Sequence, residues 1–240
     1  MNTQNIVEDY GRDGVVRVKN FLPAEQVAEV KMQLSHYMNR VISSLPEGDR
    51  TFESDEKTVR NLWRMEQHDE YFARLAARPD ILELASSLVH GEPVLLGVET
   101  FNKPARTGSG VPAHQDNAYF CQSPPDTLTI WIALDAATVE NGAIYYVKGS
   151  HHELLPHIPS GVAGNSIGIA DPPEVSPDDE FAGTLEPGDA LIHHGQTIHR
   201  SDPNTTEYAR CGLLMVFRGA HTKFDPALKE NYDKARDLVV

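Results

Sequence analysis

Pro112-Ala113-His114-Gln115-Asp116-Asn117 follows a Gly/Pro-containing approach that runs from Thr107 to Pro112. Read as an extended strand, the stretch sends residues i and i+2 to one face. His114 and Asp116 then project toward a common point, an imidazole beside a carboxylate, which is the first requirement of a metal site. Gln115 and Asn117 face the other way, where they hold the loop. A third ligand is needed, and the rest of the chain has to supply the frame that brings one there.

The 240 residues make one large domain or two small ones, and either buries a full core. The 16 prolines and 17 glycines indicate many turns, as in a β-rich fold. With 35 acids against 21 bases the formal charge is −14, which argues against a nucleic-acid or anionic-membrane partner and does not by itself identify a substrate. Cys121 and Cys211 give no disulfide framework and no cysteine-rich zinc site, and read as free thiols in a reducing compartment. Met1 to Asp13 is polar, with no apolar leader run. The longest apolar run, about Gly212 to Phe217, is far too short to span a membrane. A soluble, cytoplasmic protein with no membrane insertion is expected, and nothing in the sequence assigns an oligomeric state.

Along the chain, residues 6–22 predict a short helix and then a strand at Val15–Val18, with Asp13-Gly14 as the turn. Pro23 opens a helix from Ala24 to Asn39, with Val27, Val30, Leu34 and Met38 at helical spacing. Leu45 to Thr58 is polar and acidic and reads as a loop. Arg60, Arg64 and His68 have helical spacing, as a solvated face or a cluster reaching over a pocket. Asp69 to His90 is amphipathic, broken by Pro79 and capped by Gly91. From Gly91 onward strands are expected at 94–103, 113–117, 128–135, 143–147, 183–185, 190–194, 199–200 and 210–218. Between Ser150 and Phe181 lies a Pro/Gly/Asp-rich segment with little periodicity, read as a long functional loop. Asp225 to Val240 reads as a terminal helix. Helices followed by a run of antiparallel strands suggest a β-sandwich or barrel with helical support.

Leu191 to Ser201 contains His193, His194 and His199, and spacing alone does not choose a third ligand among them. Two histidines and one carboxylate with open positions is the pattern of non-heme Fe(II) oxygenases, because O₂ and substrate oxygens must both reach the metal. A structural zinc site would be closed by four protein ligands. With 11 histidines in the chain, most simply pack or hydrogen-bond.

An ordered set of motifs then carries a resemblance. It includes Tyr10-Gly11-Arg12-Asp13-Gly14, Phe101-Asn102-Lys103-Pro104, His114-Gln115-Asp116, Trp131-Ile132-Ala133-Leu134-Asp135 and Asn141-Gly142. It continues through Lys148-Gly149-Ser150-His151, Gly188-Asp189-Ala190, His199-Arg200-Ser201 and Arg210. Over most of its length the chain resembles the phytanoyl-CoA dioxygenase family of Fe(II)/2-oxoglutarate oxygenases. The resemblance implies a mainly β fold with supporting helices, built on a double-stranded β-helix (jelly-roll, cupin-like) core in one domain, residues 1–240. Residues 1–92 would be mainly helical support, 93–219 the core with its long loop 150–181, and 220–240 a tail.

It further implies that His114, Asp116 and His199 hold Fe(II), and that His193 and His194 do not. Arg210 would neutralise the distal carboxylate of 2-oxoglutarate with its two-pronged donor set, helped by the Ser201 hydroxyl. As a residue opening an apolar strand, an inward Arg210 needs a buried anion. By the same resemblance Trp131 lines the co-substrate pocket, Thr129 hydrogen-bonds 2-oxoglutarate, and either Asn102 or Lys103 contacts it. Thr129 and Trp131 share one strand face, opposite Leu128, Ile130 and Ile132, and ordinary core packing is the competing reading.

The implied reaction consumes O₂ and 2-oxoglutarate, releases succinate and CO₂, and hydroxylates a small molecule. Asp116 sets the chain apart from the related iron halogenases, in which a small residue replaces that carboxylate. Tyr119 or Phe120 would wall the substrate pocket, and 45–68 and 150–181 would set specificity. Two other readings stand beside this one: a cupin-like metalloenzyme that does not use 2-oxoglutarate, and a non-catalytic binding protein on the same fold.

Overall fold

The computed structural model describes residues 3–162, 164–176 and 178–237. Two antiparallel sheets face one another. The larger has seven strands in the order Val15–Val18, Ala190–His194, Thr127–Ala133, Arg210–Gly219, Pro93–Lys103, Val59–Leu62 and Arg50–Phe52. The smaller has four, in the order Glu180–Gly183, Ile144–Val147, His199–Ser201 and Val111–His114. The strand order, with sequence neighbours split between sheets, is that of a jelly-roll.

Alternation along the central strands decides what each face of the larger sheet meets. Leu128, Ile130 and Ile132 of Thr127–Ala133 join Leu213, Met215 and Phe217 of Arg210–Gly219 in the main core. The helices Ala24–Val41, Glu70–Ala76 and Pro79–Leu88 complete that core with Val27, Val30, Tyr37, Phe72, Ile81 and Leu84. Each large side chain removed from water contributes about 1.5–3 kcal/mol, so this side anchors the sheet. Trp131, Leu191 and Leu214 turn the other way and pack against Ile144 and Tyr146 of the smaller sheet. Between the sheets, at the end where Thr129 and His193 point inward, the packing opens into cavities.

Several expectations are corrected. The 45–58 stretch is not all loop: Arg50–Phe52 pairs with Val59–Leu62, and this hairpin extends the edge of the larger sheet. Arg60 therefore lies on a strand and is buried, Arg64 has a left-handed backbone (φ 53°), and only His68 is helical, so the three share no helix face. The segment 150–181 carries a hairpin, His157–Val162 with Asn165–Ile169, whose mixed polar pattern hides its pairing. The strand expected at 183–185 lies at Glu180–Gly183. The left-handed residue after helix Pro79–Leu88 is His90 (φ 53°) rather than Gly91. The terminal helix is Pro226–Asp237, and 238–240 lie outside the described residues. No helix among the described residues is long and apolar enough to cross a membrane.

Candidate metal centre

His114 closes the strand Val111–His114, but the strand does not continue to Asn117 as expected. Asp116 has helical backbone angles (φ −58°, ψ −34°) and leads into the single turn Asn117–Phe120. The chain bends because Gln115 and Asn117 leave the ladder for side-chain anchors. The Gln115 amide donates to Gln196 O (2.6 Å) and Glu153 O (2.7 Å), and its carbonyl accepts from Leu155 N (2.8 Å). Asn117 donates its backbone N–H to Gly195 O (2.7 Å) and closes its carboxamide on Gln122 (3.0 Å each way). His114 and Asp116 thus converge through a strand end and a turn rather than through strand alternation.

His199 comes from the neighbouring strand, directly opposite His114, with ring centroids 4.1 Å apart. Each imidazole places Nδ1 against the carbonyl two residues back, His114 on Pro112 O and His199 on Thr197 O, both at 2.9 Å. A carbonyl only accepts, so Nδ1 carries the proton and the Nε2 lone pair faces the site. Those Nε2 atoms lie 3.6 and 3.5 Å from Asp116 Oδ1. The donor atoms of His114, Asp116 and His199 all lie within 4.8 Å of one another.

The second carboxylate oxygen is held separately. Thr129 Oγ1 donates to Asp116 Oδ2 at 2.8 Å, and His193 Nε2 lies 3.0 Å from the same oxygen. His193 Nδ1 meets the Tyr146 hydroxyl at 3.1 Å, so the hydroxyl donates to Nδ1 and Nε2–H donates to Asp116. Thr129, expected on the co-substrate, is therefore a partner of the carboxylate instead, because its Oγ lies between the strand and the Asp116 turn. His193 faces the site through Asp116. His194 points the other way, toward Tyr10 and His151. His151 packs there as well, while His157 Nε2 accepts from Gln115 N (3.1 Å) and braces the loop.

Burial pushes His114 and His199 toward the neutral, lone-pair form. Burial alone would raise the Asp116 carboxyl, yet the imidazoles of His199, His193 and His114 hold it below the usual carboxylate range. Two neutral imidazoles and an ionised carboxylate form a donor set that suits a divalent transition metal.

A narrow cavity runs from this cluster into the space between the sheets. Arg60, Asn102, Lys103, Trp131, Ser201 and Arg210 line it beside His114, Asp116 and His199. Arg210 is 2% exposed; one Nη donates to Gly142 O (2.7 Å) and Nε has no partner among the described residues. The Trp131 ring lies under the guanidinium, 5.0 Å from centroid to Cζ. Burial lowers Arg210 to about 10. Lys103 is directly opposite Arg210 in the antiparallel pair, is 4% exposed, and donates to the backbone carbonyls of Ser109 and Asp202. Burial, and then Arg210, pull Lys103 down to about 6. With Lys103 mostly neutral near pH 7, Arg210 is the buried cation, and its Nε has no partner among the described residues. Asn102 and Lys103 both border the cavity, though only one was expected to. The Asn102 amide is directed to Val59 O (2.9 Å), which leaves Lys103 as the titratable one of the two at the cavity. The nearby Arg60 is paired with Glu53.

A wider cavity of about 400 Å³ opens on the other side of His114 and Asp116. Its walls include Trp63, Arg64, Phe101, Tyr119, Phe120 and Tyr232, with Glu99 among them. Sequence reading missed Glu99. The signal was present, since Glu99, Phe101 and Lys103 alternate onto one face of their strand.

Comparison with known proteins assigns the chain to a family. The family model for phytanoyl-CoA dioxygenase (PhyH) matches residues 10–212. Dioxygenase lolE1 of Epichloe uncinata is 30% identical over 174 residues, covering 71% of this chain and 64% of that protein, so the chain spans just under two thirds of its length. The L-proline trans-4-hydroxylase of Streptomyces griseoviridis is 27% identical over 228 residues, 87% of this chain and 83% of that protein. Among solved structures, the epimerase SnoN in complex with Fe3+, alpha ketoglutarate and nogalamycin RO superimposes with a TM-score of 0.71 at 24% identity, covering 93% and 86% of the two chains. With the family model spanning most of the sequence, the chain belongs to the phytanoyl-CoA dioxygenase (PhyH) family.

Proposed function

We propose that the protein is a non-heme Fe(II)- and 2-oxoglutarate-dependent dioxygenase that hydroxylates a small molecule and releases succinate and CO₂. His114, Asp116 and His199 would hold Fe(II), and Arg210 would receive the distal carboxylate of 2-oxoglutarate. The observation that carries the reading is the buried pair Arg210–Lys103, with an unpartnered Arg210 Nε, in a cavity that begins at the three-donor cluster. A dicarboxylate that reaches from a metal to a buried guanidinium satisfies both ends at once. A metalloenzyme of this fold without 2-oxoglutarate would have no use for that buried guanidinium, and a binding protein none for the donor set.

When bound, iron and 2-oxoglutarate supply the oxidative activation of O₂, with one oxygen atom leaving in succinate and the other entering the substrate. The chain does the rest. Thr129 and His193 fix Asp116 Oδ2, so that Oδ1 keeps its direction toward the two histidines. Pro112 O and Thr197 O fix the histidine tautomers. Trp131, Ile144 and Leu214 keep the co-substrate end dry, which strengthens the attraction between Arg210 and a carboxylate. Ser201 borders the same cavity, where its hydroxyl would assist Arg210. The wider cavity would take the organic substrate. A cytoplasmic location is supported by the two free thiols, Cys121 and Cys211. The net charge of −14 supports a small-molecule substrate over nucleic acid.

The test is anaerobic addition of Fe(II) and 2-oxoglutarate, which should give a weak visible charge-transfer band, followed by succinate release that requires both and requires His114. Absence of the band in folded protein, or a band unchanged in Arg210→Ala and His199→Ala, would refute the assignment.

A further inference from the structure

The wider cavity has a composition that the metal and co-substrate do not explain. Five aromatic side chains, Trp63, Phe101, Tyr119, Phe120 and Tyr232, contribute to its walls. Besides the metal-donor candidate Asp116, one further carboxyl group lines it: Glu99, on the strand that also carries Phe101. Aromatic faces and a carboxylate together form a receptor for a cation. A purely apolar substrate would gain nothing from a carboxyl group in its wall, and an anionic one would hold that group in its neutral form.

Other charges near Glu99 act in the same direction. Asp116 and Glu66 add negative potential at its position, and Arg64 opposes them. Arg64 is committed elsewhere: it pairs with Asp49 and donates to Gly48 O (2.8 Å). Glu66 is also committed, accepting from Val98 N (2.7 Å). The tyrosine hydroxyls are engaged with the hairpin, Tyr119 donating to Ile167 O (2.6 Å) and Tyr232 meeting Ser166 Oγ (3.5 Å). This leaves the Tyr119 ring, with Trp63, Phe101 and Phe120, as the aromatic surface on offer, since the Tyr232 ring already carries Lys229 (5.2 Å) and Arg236 (5.8 Å) of its own helix. The chain's charge of −14 would further favour approach of a cation.

On the reading of this cavity as the substrate site, we infer that the substrate is a small molecule bearing a protonated amine, and that Glu99 is the specificity-determining residue that receives it. The ammonium lies against Glu99 and the ring faces, and the amine-bearing skeleton extends toward His114 and Asp116. Burial raises the Glu99 carboxyl, and a cation seated against it restores the charge that the cavity disfavours.

The test uses three fragments of one shape: cyclohexylamine, cyclohexanol and cyclohexanecarboxylate. Binding to the protein is followed by calorimetry and by intrinsic fluorescence, which Trp63 and Trp131 share, with no turnover required. The amine should bind about tenfold or more tighter than the alcohol, and the carboxylate weakest. Glu99→Gln should remove the preference while circular dichroism stays unchanged, and Glu99→Asp should keep part of it. Failure of the amine to bind, equal binding of amine and alcohol, or a preference that survives in Glu99→Gln would overturn the inference. If Glu99→Gln fails to fold, the ranking of the three fragments on the unaltered protein and the Glu99→Asp result decide. The Fe(II)/2-oxoglutarate band is read separately, so a missing band would overturn the enzymatic reading without deciding the amine preference.

Discussion

Replacing Arg210 by methionine separates a structural arginine from one kept for a ligand. In the folded chain its guanidinium is 2% exposed and has one hydrogen bond, to Gly142 O, plus the Trp131 ring. Losing the charged hydrogen bond costs about 1.5–3 kcal/mol, and losing the cation–π contact about 1–2 kcal/mol. Against this, removing a buried cation with no carboxylate partner recovers a desolvation penalty of several kcal/mol and relieves Lys103 opposite it. Methionine fills much of the volume, so the two sides nearly cancel, and the folded state should stay within about 1 kcal/mol of the parent. Binding of 2-oxoglutarate should respond differently. Breaking a buried charge pair costs about 3–5 kcal/mol, and the lower end applies because Lys103 shares the cavity. That is a loss of about two orders of magnitude in affinity. Urea unfolding measures the first quantity, and anaerobic titration of the charge-transfer band with 2-oxoglutarate measures the second. A variant that loses about 3 kcal/mol or more of stability while binding 2-oxoglutarate normally would show that Arg210 is a brace and not a receptor.

The two site-facing histidines should behave differently. His199→Ala should abolish iron binding, whereas His193→Ala, which removes one donor from Asp116 Oδ2, should weaken it about tenfold; an equal loss in both would place His193 among the ligands. Gly212→Ala sets a Cβ 2.1 Å from Trp131 Cζ2, so the ring under Arg210 must shift. A loss of about 1–3 kcal/mol on urea unfolding, together with weaker 2-oxoglutarate binding, is expected. Burial pulls His157 and His194 down to about 4. Below the ordinary histidine value near 6.5 the unfolded chain binds more protons than the folded one. Their contribution is therefore intact above that pH and lost progressively toward pH 4, by about 2–4 kcal/mol for the pair. Urea midpoints taken across that range check this, and a profile no flatter in His194→Gln would show that the imidazole is not responsible.

The strands with uninterrupted apolar patterns were legible. Ala190–His194 has its expected limits and Arg210–Gly219 lies within a residue, because burial on both faces leaves only one register for such segments. Where side chains replace the backbone ladder, the local pattern misleads. Asp116 follows His114 by two residues as a strand would have it, yet the anchoring of Gln115 to Glu153 and Gln196, nearly 40 and 80 residues away, bends the chain between them. The hairpin 157–169 and the strand Arg50–Phe52 are short, half-exposed and polar, so their pairing depends on tertiary partners. Thr129 has the expected face, and the acceptor it meets there is Asp116 Oδ2: alternation gives a direction and says nothing about which acceptor lies there. Metal-ligand residue types and order, by contrast, are properties of the chain itself, and the three donors converge in the folded structure.

The two cavities that meet at His114 and Asp116 are built from different materials. The narrow one is walled largely by paired strands of the two sheets, where one substitution disturbs a register shared by several neighbours. The wider one takes Gly48, Trp63 and Arg64 from the segment beside the edge hairpin, Gly164 to Ser166 from the 157–169 hairpin, and Tyr232 from the terminal helix. On the proposed reading, the architecture separates an oxidising half held within the sheets from a recognising half whose outer walls lie at their edges, with Glu99 on the strand common to both. New substrates are reachable by changing the second, one wall at a time, while the first continues to work unaltered.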